Sequence, residues 1–177
     1  MKRLSVVIVV GLLAINFVGC ATMIDQALFM DMNVKKLVPE IAPSRNLRLQ
    51  EVTHYQDDDY KIVSVDKTEI DLASYFQKRF EEELKEEKFQ LVNNSDPEIP
   101  TLIVKITSQS EFVPSGRSNF VLAHVEIVQG GKLLATADGK RITGWLARTV
   151  SADRLAPILA HKLAEIFKPK SFKTEVK

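Results

Sequence analysis

The run 71–92, DLASYFQKRFEEELKEEKFQLV, decides the fold. Leu72, Phe76, Phe80 and Leu84 recur every four residues, with Ala73 beside them, and this places them on one face of an α-helix. Thr68 and Asp71 read as a capping box at its start. The remaining face is almost all charge: EEELKEEK reads as a solvated surface, with Glu81 and Lys85 spaced to pair. A helix divided in this way needs an apolar surface to lie on, and the chain on either side supplies one.

Downstream, FQLV (89–92) reads as a short strand closed by the turn NNSDPEIP. In TLIVKITSQSEFV (101–113), Leu102, Val104 and Ile106 alternate with other residues, the pattern of a strand with one buried face. After a loop at PSGRSN (114–119), FVLAHVEIV repeats the pattern with Val121, Ala123, Val125 and Ile127 on one side. Gln129-Gly130-Gly131-Lys132 reads as a hairpin turn into KLLATA, and Asp138-Gly139 as a second turn into KRITGWL. A closing helix, SADRLAPILAHKLAEIF (151–167), takes Ser151 as N-cap and buries Leu155, Leu159, Leu163 and Ile166. Pro157 must then sit in its first turn or kink it. Upstream, LRLQEVTHY (47–55) and KIVSV (61–65) read as strands flanking the polar turn QDDDY. The expected fold class is α+β: a two-layer sandwich, a mainly antiparallel sheet with two helices packed on one face.

The N-terminus carries an address. Lys2 and Arg3 precede an apolar run, Leu4 to Phe17, too short to span a hydrocarbon core of ~30 Å comfortably and of the length a secretory signal needs. Phe17-Val18-Gly19-Cys20 resembles the lipobox of bacterial lipoproteins, with phenylalanine where leucine is usual. That resemblance implies diacylglyceryl transfer to the Cys20 sulfur, cleavage before Cys20, and N-acylation of the new terminus. Ala21 stands where lipoproteins retained in the inner membrane carry aspartate, so an outer-membrane, periplasm-facing position is expected, with the inner membrane as the alternative. The expected organisation is a signal peptide at 1–19, a lipidated tether at 20–45 interrupted by Pro39 and Pro43, and a periplasmic domain at 46–177 with a short basic tail. Ile24, Leu28, Phe29 and Met32 suit either a turn near the lipid surface or packing on the domain.

Composition narrows the function classes. The chain has 177 residues with 24 basic and 23 acidic side chains, and loss of Lys2 and Arg3 leaves the mature form one acid in excess. No global field gathers polyanions, so nucleic acid is not an expected partner. Cys20 is the only cysteine, so no intramolecular disulfide forms and the domain rests on packing.

Chemistry-bearing patterns are sparse. Asp57-Asp58-Asp59 lacks the ligand spacing and glycine of a calcium loop and reads as a solvated turn. His54, His124 and His161 fall on separate elements without metal-ligand spacing, and no nucleophile elbow, phosphate loop or dinucleotide fingerprint is present. Lys168, Lys170, Lys173 and Lys177 read as a solvated tail. Phe120 and Leu122 lie opposite the Val121 series, so the second helix either covers them or leaves them, with Arg117, as a contact surface; coverage by the helix is the favoured expectation.

The helix run, alternating strand, hairpin and closing helix together resemble a loose group of small Gram-negative outer-membrane lipoproteins: the YajG-like, LptE-like and curli-secretion types. The resemblance spans most of residues 46–167 and is one of pattern, so no functional residue is carried over. It implies a non-enzymatic envelope lipoprotein, without cofactor or metal apart from the lipid on Cys20, that holds the bilayer and binds other envelope proteins as an assembly or accessory subunit. The alternative is a lipid- or glycan-binding carrier of an envelope transport system, holding its ligand between sheet and helices. A cleft gathering acidic or histidine side chains would point instead to a hydrolase.

Overall fold

The computed structural model describes residues 29–55, 61–113, 116–144 and 148–168, with side chains described for 32–55, 61–109, 120–141 and 148–168. The described residues from Asp31 onward belong to one compact unit. Among the described residues nine strands, β1 (Phe29–Lys36), β2 (Asn46–Leu49), β3 (Thr53–His54), β4 (Ile62–Val65), β5 (Thr68–Asp71), β6 (Gln90–Leu91), β7 (Thr101–Val113), β8 (Gly116–Gln129) and β9 (Lys132–Gly144), accompany two helices, α1 (Leu72–Glu86) and α2 (Arg148–Ile166). The chain is α+β, as the hydrophobic patterns require. Seven strands make the main sheet in the order β1-β9-β8-β7-β2-β6, with β3 also pairing with β7, and β4-β5 form a separate hairpin. The long β7-β8-β9 meander is antiparallel, whereas β2 and β3 join β7 in parallel and β6 joins β2 in parallel. Among the described residues no helix is long and apolar enough to cross a membrane.

The stripe that decided the fold is buried throughout: Leu72, Phe76, Phe80 and Leu84 expose none of their surface, and the Phe76 and Phe80 rings stack with centroids 5.6 Å apart. The cap differs from expectation. Thr68 is in β5, and Asp71 itself is the N-cap, its Oδ1 accepting from the Ser74 N–H at 2.9 Å, because a tight β4-β5 turn delivers the chain straight into the helix. At the other end Lys88 adopts a left-handed φ of 68°, the Phe89 N–H donates to the Leu84 carbonyl and the Lys88 N–H to that of Lys85. This is a Schellman ending, with buried Phe89 and Leu84 as its apolar pair. On the outer face Arg79 holds Glu82 and Glu83, and Glu81 accepts from Gln77.

α2 lies over β8 and β9, and α1 lies beside α2. The helices are clasped by polar groups as well as by core: the Tyr75 hydroxyl donates to Asp153 at 2.9 Å, and Arg79 Nε approaches the same carboxylate at 3.4 Å. Burial and the Asp153 carboxylate push the Tyr75 phenol up to about 12, so it remains a donor. α1 is further tied to the β2-β3 connection, where the Val52 N–H donates to Gln77 Oε1. Leu102, Val104, Ile106, Val121, Val125 and Ile127 are wholly buried in the core between the layers, together with Leu155, Leu159, Leu163 and Ile166 of α2.

Four expectations are corrected. Asp138-Gly139 is not a turn: β9 runs unbroken through it, and a Cβ at Gly139 would stand 2.8 Å from Leu155 Cδ1, so this glycine serves close approach of α2 to the sheet. α2 starts at Arg148, which leaves Ser151 buried inside the helix rather than at its cap and places Pro157 in its interior. The PSGRSN loop is mostly strand, since β8 begins at Gly116 opposite Val113. Part of the stretch read as a tether is β1, an outer strand of the sheet against β9, so sheet pairing begins upstream of Asn46; residues 21–28 lie outside the described residues. Gly130 and Gly131, with φ of 55° and 74°, form the β8-β9 turn where the sequence places it.

Candidate functional site

Alternation along β8 sends Val121, Ala123, Val125 and Ile127 to the helices and Phe120, Leu122, His124 and Glu126 to the other face. Gly139, opposite Ala123 in the ladder, meets Leu155, which fixes α2 on the Val121 side. The expectation that the second helix covers Phe120 and Leu122 is therefore wrong. Phe120 is nonetheless buried, with Lys140 Nζ 3.8 Å from its ring centroid, while Leu122 is half-buried on the open face. The Arg117 side chain lies outside the described residues, as do Asp57, Asp58, Asp59, Cys20 and the tail lysines beyond Lys168.

The open face gathers a site that no single stretch of sequence contains. Pairing of β8 with β9 sets His124 opposite Asp138, and pairing with β7 sets Leu122 opposite Thr107 and Phe120 opposite Gln109. Tyr55, just beyond β3, is held there by its N–H, which donates to the Ile106 carbonyl at 2.9 Å. Together Tyr55, Thr107, Gln109, Leu122, His124 and Asp138 line a shallow cavity of about 330 Å3.

His124 is its centre. Nδ1 lies 2.6 Å from Asp138 Oδ1, and Nε2 lies 3.5 Å from Glu126 Oε1, so both ring nitrogens face a carboxylate. The Tyr55 ring leans on the imidazole with centroids 6.5 Å apart and planes at 58°. Burial, then the charges of Asp138 and Glu126, raise the Tyr55 phenol above its usual range, so at neutral pH it offers a hydroxyl donor. Lys105 is opposite His124 across β7, and Lys140, whose Nζ lies over the Phe120 ring, is opposite Leu122 across β9.

The other histidines stand apart from this cavity. His54 Nε2 sits 2.7 Å from Asp71 Oδ2, joining β3 to the α1 cap. His161 Nδ1 sits 3.0 Å from Glu87 Oε1 between the helices. Among the described residues no group of three or more histidine, cysteine, aspartate or glutamate side chains is placed to hold a metal ion. In the sequence His124 is one of three histidines on separate elements, and nothing there marks Tyr55, Thr107, Gln109 or Asp138 as site residues. The available signal was the two-residue period of β8, which points His124 and Glu126 away from the core. Their cross-strand partners depend on register.

No protein-family model and no curated protein matches the sequence. Among solved structures the chain is similar to a PelC dodecamer from Paraburkholderia phytofirmans, at 12% identity over 73% of this chain and 96% of that one, with a TM-score of 0.52. It is similar also to the hypothetical protein CT253 from Chlamydia trachomatis, at 10% identity over 72% and 98% of the two chains, with a TM-score of 0.53. At such identities the likeness is one of fold: two bacterial proteins of divergent sequence share this arrangement of helices and sheet.

Proposed function

We propose that the protein is a lipid-anchored, non-enzymatic subunit of the bacterial envelope, held through Cys20 in the outer membrane with its domain in the periplasm, and that it binds other envelope components through the open face of its sheet. The observation that carries this reading is the one-sided architecture. The helix-facing layer is filled by wholly buried side chains such as Leu102, Val104, Phe76 and Leu159, whereas the opposite face bears a shaped cavity with an exposed aromatic and several polar groups. Among the described residues the middle of the helix-sheet interface is filled by that core, and the cavity of about 290 Å3 on that side opens at its margin, between β1 and α2.

The gathered His124, Asp138 and Glu126 raise the question of hydrolysis. General-base work needs an imidazole nitrogen turned toward a nucleophile, and both nitrogens of His124 face carboxylates. The arrangement suits holding a ligand better than moving a proton.

Two measurements test the proposal. Intact-mass analysis of membrane-extracted protein should show an acylated chain beginning at Cys20, with Cys20→Ser unacylated, and Ala21→Asp should move the protein to the inner membrane. A photo-crosslinker at Leu122 should yield envelope adducts in cells, whereas one at Lys78 on the outer side of α1 should not. A mature chain beginning at Ala21 or later overturns the anchor, and adducts confined to Lys78 overturn the binding face.

A further inference from the structure

From the lining of the open-face cavity we infer a ligand class: a neutral saccharide ring, seated on Tyr55 and Leu122 and hydrogen-bonded by Thr107, Gln109 and Asp138. The inference rests on reading the open face as the binding face and is independent of the anchor.

The cavity, at about 330 Å3, lies at the small end of ligand sites, the scale of one compact unit rather than a long chain. Its lining mixes two kinds of surface. Tyr55, 39% exposed, presents an aromatic ring, and Leu122 adds a second apolar patch. Between them stand a hydroxyl at Thr107 and an amide at Gln109, each able to donate and accept, an acceptor at Asp138, and the protonated phenol of Tyr55.

A ligand that satisfies this set must carry both donors and acceptors around small apolar faces. An acyl chain would desolvate Asp138 and Gln109 without returning hydrogen bonds. A phosphate or carboxylate would be set against Asp138 and Glu126. A primary ammonium alone would meet those carboxylates yet leave the apolar surface of Tyr55 and Leu122 uncovered. A hydroxylated ring fits: its equatorial hydroxyls pair with carboxylate, amide and hydroxyl groups, and its C–H face lies on the aromatic ring. The Asp138–His124 contact would hold the imidazole in place as part of the site's floor, so the site is organised before a ligand arrives.

The test uses the full chain in lauryldimethylamine oxide, a detergent without a sugar headgroup, on an array of neutral hexose and N-acetylhexosamine oligosaccharides with acidic and amine-bearing counterparts. Binding is expected on the neutral arm, about tenfold weaker for Tyr55→Ala and for Gln109→Ala, and unchanged for Lys78→Ala. Thermal melts matching the parent chain confirm that the variants remain folded. No neutral glycan bound above the level of the Tyr55→Ala, Gln109→Ala double variant overturns the inference, as does binding confined to acidic or amine-bearing sugars, or binding indifferent to Tyr55 and Gln109. If the array fails while Leu122 still crosslinks to envelope proteins, the binding face stands and the saccharide falls.

Discussion

Replacing Phe80 by alanine probes the contact on which the two layers depend. The ring is wholly buried in the middle of the α1 stripe and stacks on Phe76 at 5.6 Å, so truncation removes the ring from the core and leaves its neighbours facing a void. Such truncations cost ~3–5 kcal/mol, a large part of the ~5–15 kcal/mol that holds a domain together. The control is Glu82→Ala. Glu82 is 46% exposed and bonded to Arg79, which keeps Glu83 as a second partner, so its loss should cost less than about 0.5 kcal/mol. The assay is urea denaturation of residues 21–177, which omits the anchor cysteine and keeps β1. With a slope of about 2 kcal/mol/M, Phe80→Ala should lower the midpoint by ~1.5–2.5 M or leave no folded baseline, and Glu82→Ala should shift it by less than ~0.3 M. Equal small shifts at both positions would refute the reasoning, for the stripe would then not be core.

Two further predictions come from the helix-sheet approach and the α1 cap. Gly139→Val should cost ~1–3 kcal/mol by driving a branched side chain into Leu155, and the cost should shrink in a Leu155→Ala background; strictly additive effects would show that the two sites do not meet. Asp71→Ala should cost ~1 kcal/mol at neutral pH through loss of the cap. Partial burial tends to raise the Asp71 carboxyl, but bonds from the Ser74 N–H, His54 and the Ser74 hydroxyl outweigh it and leave its pKa below the ordinary carboxylate value. The ionised cap therefore stabilises fully above the unfolded-state pKa, and its contribution fades as pH falls through the lower folded value. The stability gap between parent and variant should close as the pH falls through and below the ordinary carboxylate range, and a gap that widened there would contradict the cap assignment.

Much of the fold was legible because its determinants are local. The four-residue recurrence of Leu72, Phe76, Phe80 and Leu84, and the two-residue alternation through Leu102–Ile106 and Val121–Ile127, are properties of the chain's own geometry and survive in any tertiary setting. The turn at Gly130-Gly131 is of the same kind, since only a left-handed backbone closes that hairpin. Asp138-Gly139 misled for the complementary reason. Those two residues favour a turn locally, but Gly139 stands where a helix from elsewhere in the chain presses on the strand, and nothing nearby in sequence announces that neighbour.

The site belongs to the tertiary structure alone. From the hairpin turn, Gln129 pairs with Lys132 and Val128 with Leu133, and that register carried onward would set His124 against Ala137. An irregularity between Ile127 and Val128 adds one residue to β9, so His124 meets Asp138 instead and the carboxylate comes to the open face. Tyr55 arrives by a longer route, through the parallel pairing of β3 with β7 across about fifty residues of intervening chain. The sequence by itself determined which side chains face the core and which face away. The tertiary structure decided which outward-facing residues meet, because a one-residue register shift and a parallel strand insertion are settled by the packing of distant elements.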